Sequence, residues 1–152
     1  KIDGVILSGA AVQADDKVAT PFLRKISGVV GVYLPCLPVV PPLTAKISKD
    51  PNVRRAYDAD PLVYHGGIPA KLGMTMLQLQ DEVSAKFDQF EYPVLALHGE
   101  VDALVPLKGS ELLIDQASSS DKKIIVIDDG WHEIFHDKPV RKHVIDWLNA
   151  RN

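Results

Sequence analysis

Short apolar runs alternate along this chain with stretches whose apolar positions recur every three or four residues. Ile2 to Ala11 (IDGVILSGAA) is apolar and ends in small residues, the pattern of a strand buried on both faces. Asp15 and Asp16 then mark a turn. From Thr20 the period becomes helical: Phe22, Ile26, Val30 and Tyr33 share a face, with Thr20 as N-cap and Pro21 at the first helical position. Pro35 to Pro42 (PCLPVVPP) stops that helix and predicts an extended connector. Lys46 to Tyr64, with Pro51 and Pro61 among mixed polar residues, predicts short helices and loops. Leu72, Met76, Leu79, Val83 and Phe87 then lie one turn apart, as on a second amphipathic helix.

After Phe90 the pattern changes. Tyr92 to His98 (YPVLALH) predicts a buried strand, Lys108 to Ala117 a helix with Leu112 and Leu113 inward, and Lys123 to Ile127 (KIIVI) another strand. Pro139 to Leu148 predicts a closing helix with Val140, Val144, Ile145 and Leu148 on one face. Strands alternating with helices imply parallel pairing through right-handed crossovers. The predicted class is α/β, ordered as strand, long helical insertion, strand, helix, strand, helix. The three strands should be adjacent and parallel, with the insertion above their carboxyl ends. No internal repeat and no low-complexity segment is present.

Composition narrows the function only by exclusion. At 152 residues, 46% hydrophobic and 24% charged, the chain has the mixture of a globular domain. A net charge of −3 without a Lys/Arg cluster gives nucleic acid no electrostatic footing. The longest apolar run, Val29 to Val40, is broken by Gly31, Pro35 and Pro38 and cannot be a transmembrane helix. Cys36 stands alone, which excludes an internal disulfide and fits a reducing, cytoplasmic setting. No signal peptide is visible. The chain has no initiator Met and opens almost directly on a strand, which points to an N-terminus elsewhere.

The chemistry gathers after the last two strands. Asp102 follows the first of them in His98-Gly99-Glu100-Val101-Asp102, and His132 follows the second in Gly130-Trp131-His132-Glu133. In open α/β sheets, reactive groups collect beyond the carboxyl ends of the strands. An acid and then a histidine, each after an apolar strand, occur in the order that serves as orienter and general base in serine hydrolysis. Taken singly, an Asp after a strand is usually a turn former and a His beside Trp a packed side chain. No Gly-x-Ser-x-Gly occurs, and Ser8 is a poor substitute, because Ile6 replaces the glycine an elbow requires. Cys36, among Leu34, Pro35 and Leu37, reads as a packing or pocket residue. The other histidines (His65, His98, His136 and His143) show no metal-ligand spacing, so no metal site and no cofactor is expected. Met74 and Met76 suit core contacts or an acyl-chain tunnel.

In order and spacing these segments resemble the monoacylglycerol lipase group of α/β-hydrolases, which also includes lysophospholipase-like and caffeoylshikimate-type esterases. The matching pieces are Asp3-Gly4-Val5-Ile6-Leu7-Ser8, Asp60-Pro61-Leu62, Pro93-Val94-Leu95-Ala96-Leu97-His98-Gly99-Glu100, Ser118-Ser119-Ser120-Asp121-Lys122-Lys123 and Trp131-His132-Glu133. The resemblance implies the C-terminal part of an α/β-hydrolase fold, with residues 1–11 and 89–152 as core and residues 12–88 as a helical cap. It makes Asp102 the triad acid and His132 the base. It also makes Tyr33, Leu34, Leu37, Met74 and Leu77 contacts for an acyl chain. The nucleophile serine, the oxyanion hole and the first five strands would lie upstream, so the N-terminal part of the same fold is a required partner. The expected substrate is a small lipid ester, and the cap allows peripheral membrane contact. Three functions fit: a monoacylglycerol or lysophospholipid esterase, an esterase for small or aromatic acyl esters, and an inactive binding or structural subunit. A narrow polar pocket would favour the second, and an upstream elbow without serine the third.

Overall fold

The computed structural model describes residues 2–15, 20–42, 47–136 and 138–151, so Asp16 and Lys46 lie outside the described residues. In chain order the elements are strand β1 (Val5–Ser8), helix α1 (Pro21–Tyr33), strand β2 (Pro38–Val40), helix α2 (Pro51–Ala59), strand β3 (Ile68–Pro69) and helix α3 (Ala70–Ser84). Strand β4 (Val94–Gly99), helix α4 (Leu107–Gln116), strand β5 (Lys122–Ile127) and helix α5 (Lys138–Asn149) follow.

The three predicted strands form one parallel sheet in the order β1-β4-β5. Val5 stands opposite Val94 at one junction, and Val94 opposite Lys122 at the other. The central strand β4 is buried at all six positions, which explains its nearly unbroken apolar run. Its side chains alternate between faces. Leu95 and Leu97 join Ile134, Val140 and Trp147 in the main core, with Ile6, Ile125, Ile127 and Val144 packed around them. Burying a Leu fully is worth about 1.5–3 kcal/mol, so this cluster anchors the strand ends that follow it. On α5 the buried positions are Val140 and Trp147, whereas Ile145 and Leu148 are exposed; the predicted face is rotated by about one residue. The first strand is shorter than Ile2 to Ala11 suggests, because the chain leaves the sheet at Gly9, whose φ is +51°.

The insertion between β1 and β4 is mainly helical. Pro21 opens α1, and the backbone N–H of Arg24 donates to the Thr20 carbonyl at 2.9 Å, as expected of a capped start. Asp50 caps α2 by accepting from the Asn52 N–H at 2.7 Å, with Pro51 in the first turn. The predicted connector opens with a turn at Pro35 and Cys36 and runs extended after it, and part of it, β2, pairs antiparallel with β3. Helices α1 and α3 meet where Gly31 lies against Met74 and Ala70. That contact overturns the face predicted for α3. Ala70 and Met74 are its buried residues, while Leu72, Leu79 and Val83 are exposed, Met76 lines a cavity, and Phe87, the last of the predicted stripe, is buried beyond the helix end. Small Gly31 lets α1 approach α3 closely, and the helix turns its narrower apolar edge toward that neighbour.

Candidate functional site

The turns after β4 and β5 are fastened to each other before any reactive side chain is placed. The N–H of Glu100 donates to the Ile127 carbonyl at 3.0 Å, and the N–H of Val101 to the Gly130 carbonyl at 3.0 Å. The Glu100 carboxylate accepts the N–H of Asp129 at 2.9 Å, where the chain turns through a positive φ of 55°. Gly99 makes this approach possible, because a Cβ there would sit 2.3 Å from the Trp131 carbonyl oxygen. The insertion reaches this frame through Ile47 and Lys49. Buried Ile47 offers its carbonyl to the Glu133 N–H at 2.9 Å, and Lys49 pairs with Asp129.

Within this frame Asp102 and His132 meet. Asp102 Oδ1 accepts the N–H of Leu104 at 2.8 Å and that of Val105 at 3.0 Å. Its Oδ2 lies 2.8 Å from His132 Nδ1. An ionised carboxylate only accepts, so Nδ1 carries the proton and Nε2 is left as the basic nitrogen. The Asp102 side chain is 1% exposed and that of His132 28%, so the acid is enclosed and the imidazole opens outward. Burial pushes the Asp102 carboxyl up, but the His132 hydrogen bond and the N–H groups of Val105 and Leu104 outweigh it. The net result lies below the ordinary value. His132 is raised, chiefly by its hydrogen bond to Asp102, against burial and with help from the charges of Asp102 and Glu133. Both shifts favour the charged pair.

Gly9 closes the pair from the β1 side, a role the sequence reading missed. A Cβ there would lie 3.0 Å from His132 Nδ1. Its signal was the small pair Ser8-Gly9 at a strand end; Ser8 itself is exposed. Cys36 is exposed too, contrary to the packing or pocket role expected of it. Among the described residues, no group of three or more His, Cys, Asp or Glu is placed to hold a metal ion.

His132 opens into a cavity of about 600 Å³ between the strand ends and the insertion. Its wall is mostly apolar, with Ile26, Val30, Val39, Ile68, Met74 and Leu77 prominent. Two of the expected acyl contacts, Met74 and Leu77, are therefore on it. Tyr33, Leu34 and Leu37 are not: they are 78%, 56% and 46% exposed. The helix ends at Tyr33, and the turn closed by the Leu37 N–H on the Leu34 carbonyl carries these side chains away from the cavity. Their places are taken by Ile26 and Val30 earlier on α1 and by the β2–β3 pair. Val39 and Ile68 could not be found from sequence, because strands this short leave no periodic signal.

Comparisons with known proteins bear on the family and the fold. The model of a family described as serine aminopeptidase, S33, matches residues 1–139. The monoacylglycerol lipase of Mycolicibacterium smegmatis is 37% identical over 142 residues, covering 93% of this chain and 50% of that protein. Human monoglyceride lipase is 27% identical over 136 residues, covering 90% of this chain and 45% of its own length. The crystal structure of Paleococcus ferrophilus monoacylglycerol lipase aligns with a TM-score of 0.85 at 29% identity, over 100% of this chain and 60% of that one. A soluble variant of Saccharomyces cerevisiae monoglyceride lipase, in complex with a substrate analog, aligns with a TM-score of 0.76 at 21% identity. That alignment covers 99% of this chain and 56% of the yeast one, and shows a common fold. The chain spans about half the length of the curated relatives it matches.

Proposed function

The chain belongs to the serine aminopeptidase S33 family, with the C-terminal part of an α/β-hydrolase fold, and on that footing we propose that it carries the acid and base of a serine ester hydrolase acting on monoacylglycerol or lysophospholipid-type esters. The observation that carries the reading is the Asp102–His132 pair, 2.8 Å apart, opening onto an apolar cavity. In the proposed reaction, His132 Nε2 takes the proton of a serine hydroxyl as its oxygen attacks the ester carbonyl. Asp102 stabilises the imidazolium, which then returns the proton to the leaving alcohol. Water releases the acyl group by the same exchange in reverse. The serine and the oxyanion donors are assigned to a part of the polypeptide outside these residues, since no Gly-x-Ser-x-Gly occurs among them. Residues 12–88 are assigned as the cap and residues 1–11 and 89–152 as the core.

The apolar wall favours an alkyl chain over a small aromatic acyl group. Phe22, Val29 and Val32 are exposed on α1, which supports a peripheral lipid contact through the cap. Among the described residues no helix is long and apolar enough to cross one. The test uses the full-length protein, comparing kcat/KM for a long-chain monoacylglycerol with that for an aromatic acyl ester, beside labelling by a fluorophosphonate probe. Labelling and a preference for the monoacylglycerol are expected. A preference for the aromatic ester would transfer the protein to the second substrate class. No labelling would identify it as an inactive subunit.

A further inference from the structure

His98 is the last side chain of β4 before Gly99 and is 0% exposed. Its Nδ1 lies 2.8 Å from the hydroxyl of Ser110 on α4. Its Nε2 lies 3.0 Å from the Val105 carbonyl oxygen and 3.4 Å from Asp102 Oδ2. A carbonyl only accepts, so the proton is on Nε2, and Nδ1 is left to the Ser110 hydroxyl. An aliphatic side chain would fill this place without burying polar atoms that must find partners. Both acceptors facing the Nε2–H belong to the acid turn. Val105 is the residue whose own N–H holds Oδ1, and Oδ2 is the oxygen that meets His132. The same carboxylate oxygen thus faces two imidazoles, one from the end of β4 and one from the turn after β5.

We propose that His98, oriented by Ser110, is a positioning residue that fixes the Asp102 carboxylate for its contact with His132. The inference rests on Asp102 and His132 acting as acid and base. His98 works in two ways. It holds the Val105 carbonyl, which keeps the turn from 102 to 105 in the shape that delivers two N–H groups to Oδ1. It also sets the positive end of its N–H dipole beside Oδ2, which resists rotation of the carboxylate away from His132. A misplacement on the ångström scale costs a catalytic constellation about a hundredfold in rate. The Asp102–His132 contact is where such a loss would arise.

The experiment substitutes His98 by Asn and by Gln, and Ser110 by Ala, in the full-length protein, with Asp102→Asn as reference. The readouts are kcat and KM on a monoacylglycerol, and the low-field proton resonance of the His132 Nδ1–H. The amide nitrogen of Gln falls near the position of Nε2 and that of Asn near Nδ1, so only Gln can still donate to the acid turn. His98→Asn should lower kcat by roughly a hundredfold at unchanged KM and weaken the low-field resonance, His98→Gln should restore most of both, and Ser110→Ala should fall between them. Wild-type kcat in His98→Asn, or equal damage in the Asn and Gln variants, would overturn the proposal, since filling space needs no particular donor. Should His98→Asn fail to fold, Ser110→Ala decides: a wild-type kcat and an unaltered resonance there defeat it. Full activity in Asp102→Asn would instead remove the acid assignment. The resonance needs no turnover and would still report whether His98 holds the carboxylate.

Discussion

Every residue of β4 is buried, whereas α2 buries none of its residues and α3 only Ala70 and Met74. The sheet places Asp102 and His132 on strand ends that the core cannot easily shift. The insertion forms one wall of a cavity from helices that bury few of their residues. Local stability follows buried contacts, so the first region favours fixed geometry and the second favours adjustment. Chemistry in proteins of this kind wants the first property, and accommodation of flexible chains the second. Under the proposed function, the contrast separates the groups that would do the reaction from the wall that would meet the substrate.

The sharpest way to break that separation is to act on the pair itself. In the full-length protein, His132→Ala should abolish acyl-enzyme formation, measured by burst kinetics or probe labelling. Asp102→Asn should keep the fold and lower turnover by about four orders of magnitude, the scale of a triad histidine held in the wrong tautomer. A mild effect from either would mean that the enclosed geometry is not the working one.

The two regions should also differ in what a lost side chain costs. Leu97→Ala, in the core under the strand ends, should destabilise by about 2–5 kcal/mol. Leu79→Ala, 57% exposed on α3, should change stability by no more than about 0.5 kcal/mol. Urea unfolding of the two variants measures the difference. Equal losses would show that the outward face of α3 is covered in the folded protein.

Titration gives a subtler test. A raised His132 contributes stability that is complete below its unfolded value of about 6.5 and is lost as pH rises through its folded value. A lowered Asp102 contributes stability complete above about 3.9 and lost as pH falls through its folded value. The stability gap between wild type and Asp102→Asn should therefore be widest between about pH 4 and about 6.5. The proposed reaction needs the neutral imidazole, so the acid limb of kcat/KM should lie above the ordinary histidine value. The smallest effect is expected from Glu133→Gln. That variant removes one of the charges raising His132, so the acid limb should move slightly down in pH and the rate stay within roughly tenfold. If Glu133→Gln were inactive and Asp102→Asn near wild type, the acid would be misassigned.

What could be read in advance divides along the same line. VLAL in β4 announces itself because a doubly covered strand must be apolar throughout, the run IIVI marks the half-buried β5, and the residues just past such strands can be named without knowing the fold. Asp102 and His132 were legible for that reason. Periodicity on α3 found a genuine apolar stripe, but a stripe does not say which neighbour claims it, and Gly31 and Met74 settled that in favour of the other edge. Tyr33, Leu34 and Leu37 were expected on the cavity from the resemblance alone, and a resemblance does not say where a helix stops being covered. Gly9 and the β2–β3 pair depend on chain segments far apart in sequence, which no window of residues contains.

The hydrogen bond from the Glu133 N–H to the Ile47 carbonyl joins the insertion to the residue next to His132. The wall of the cavity and the seat of the imidazole therefore share a boundary one peptide bond from the proposed base. A substitution at Ile47 would reach the histidine loop without touching the sheet.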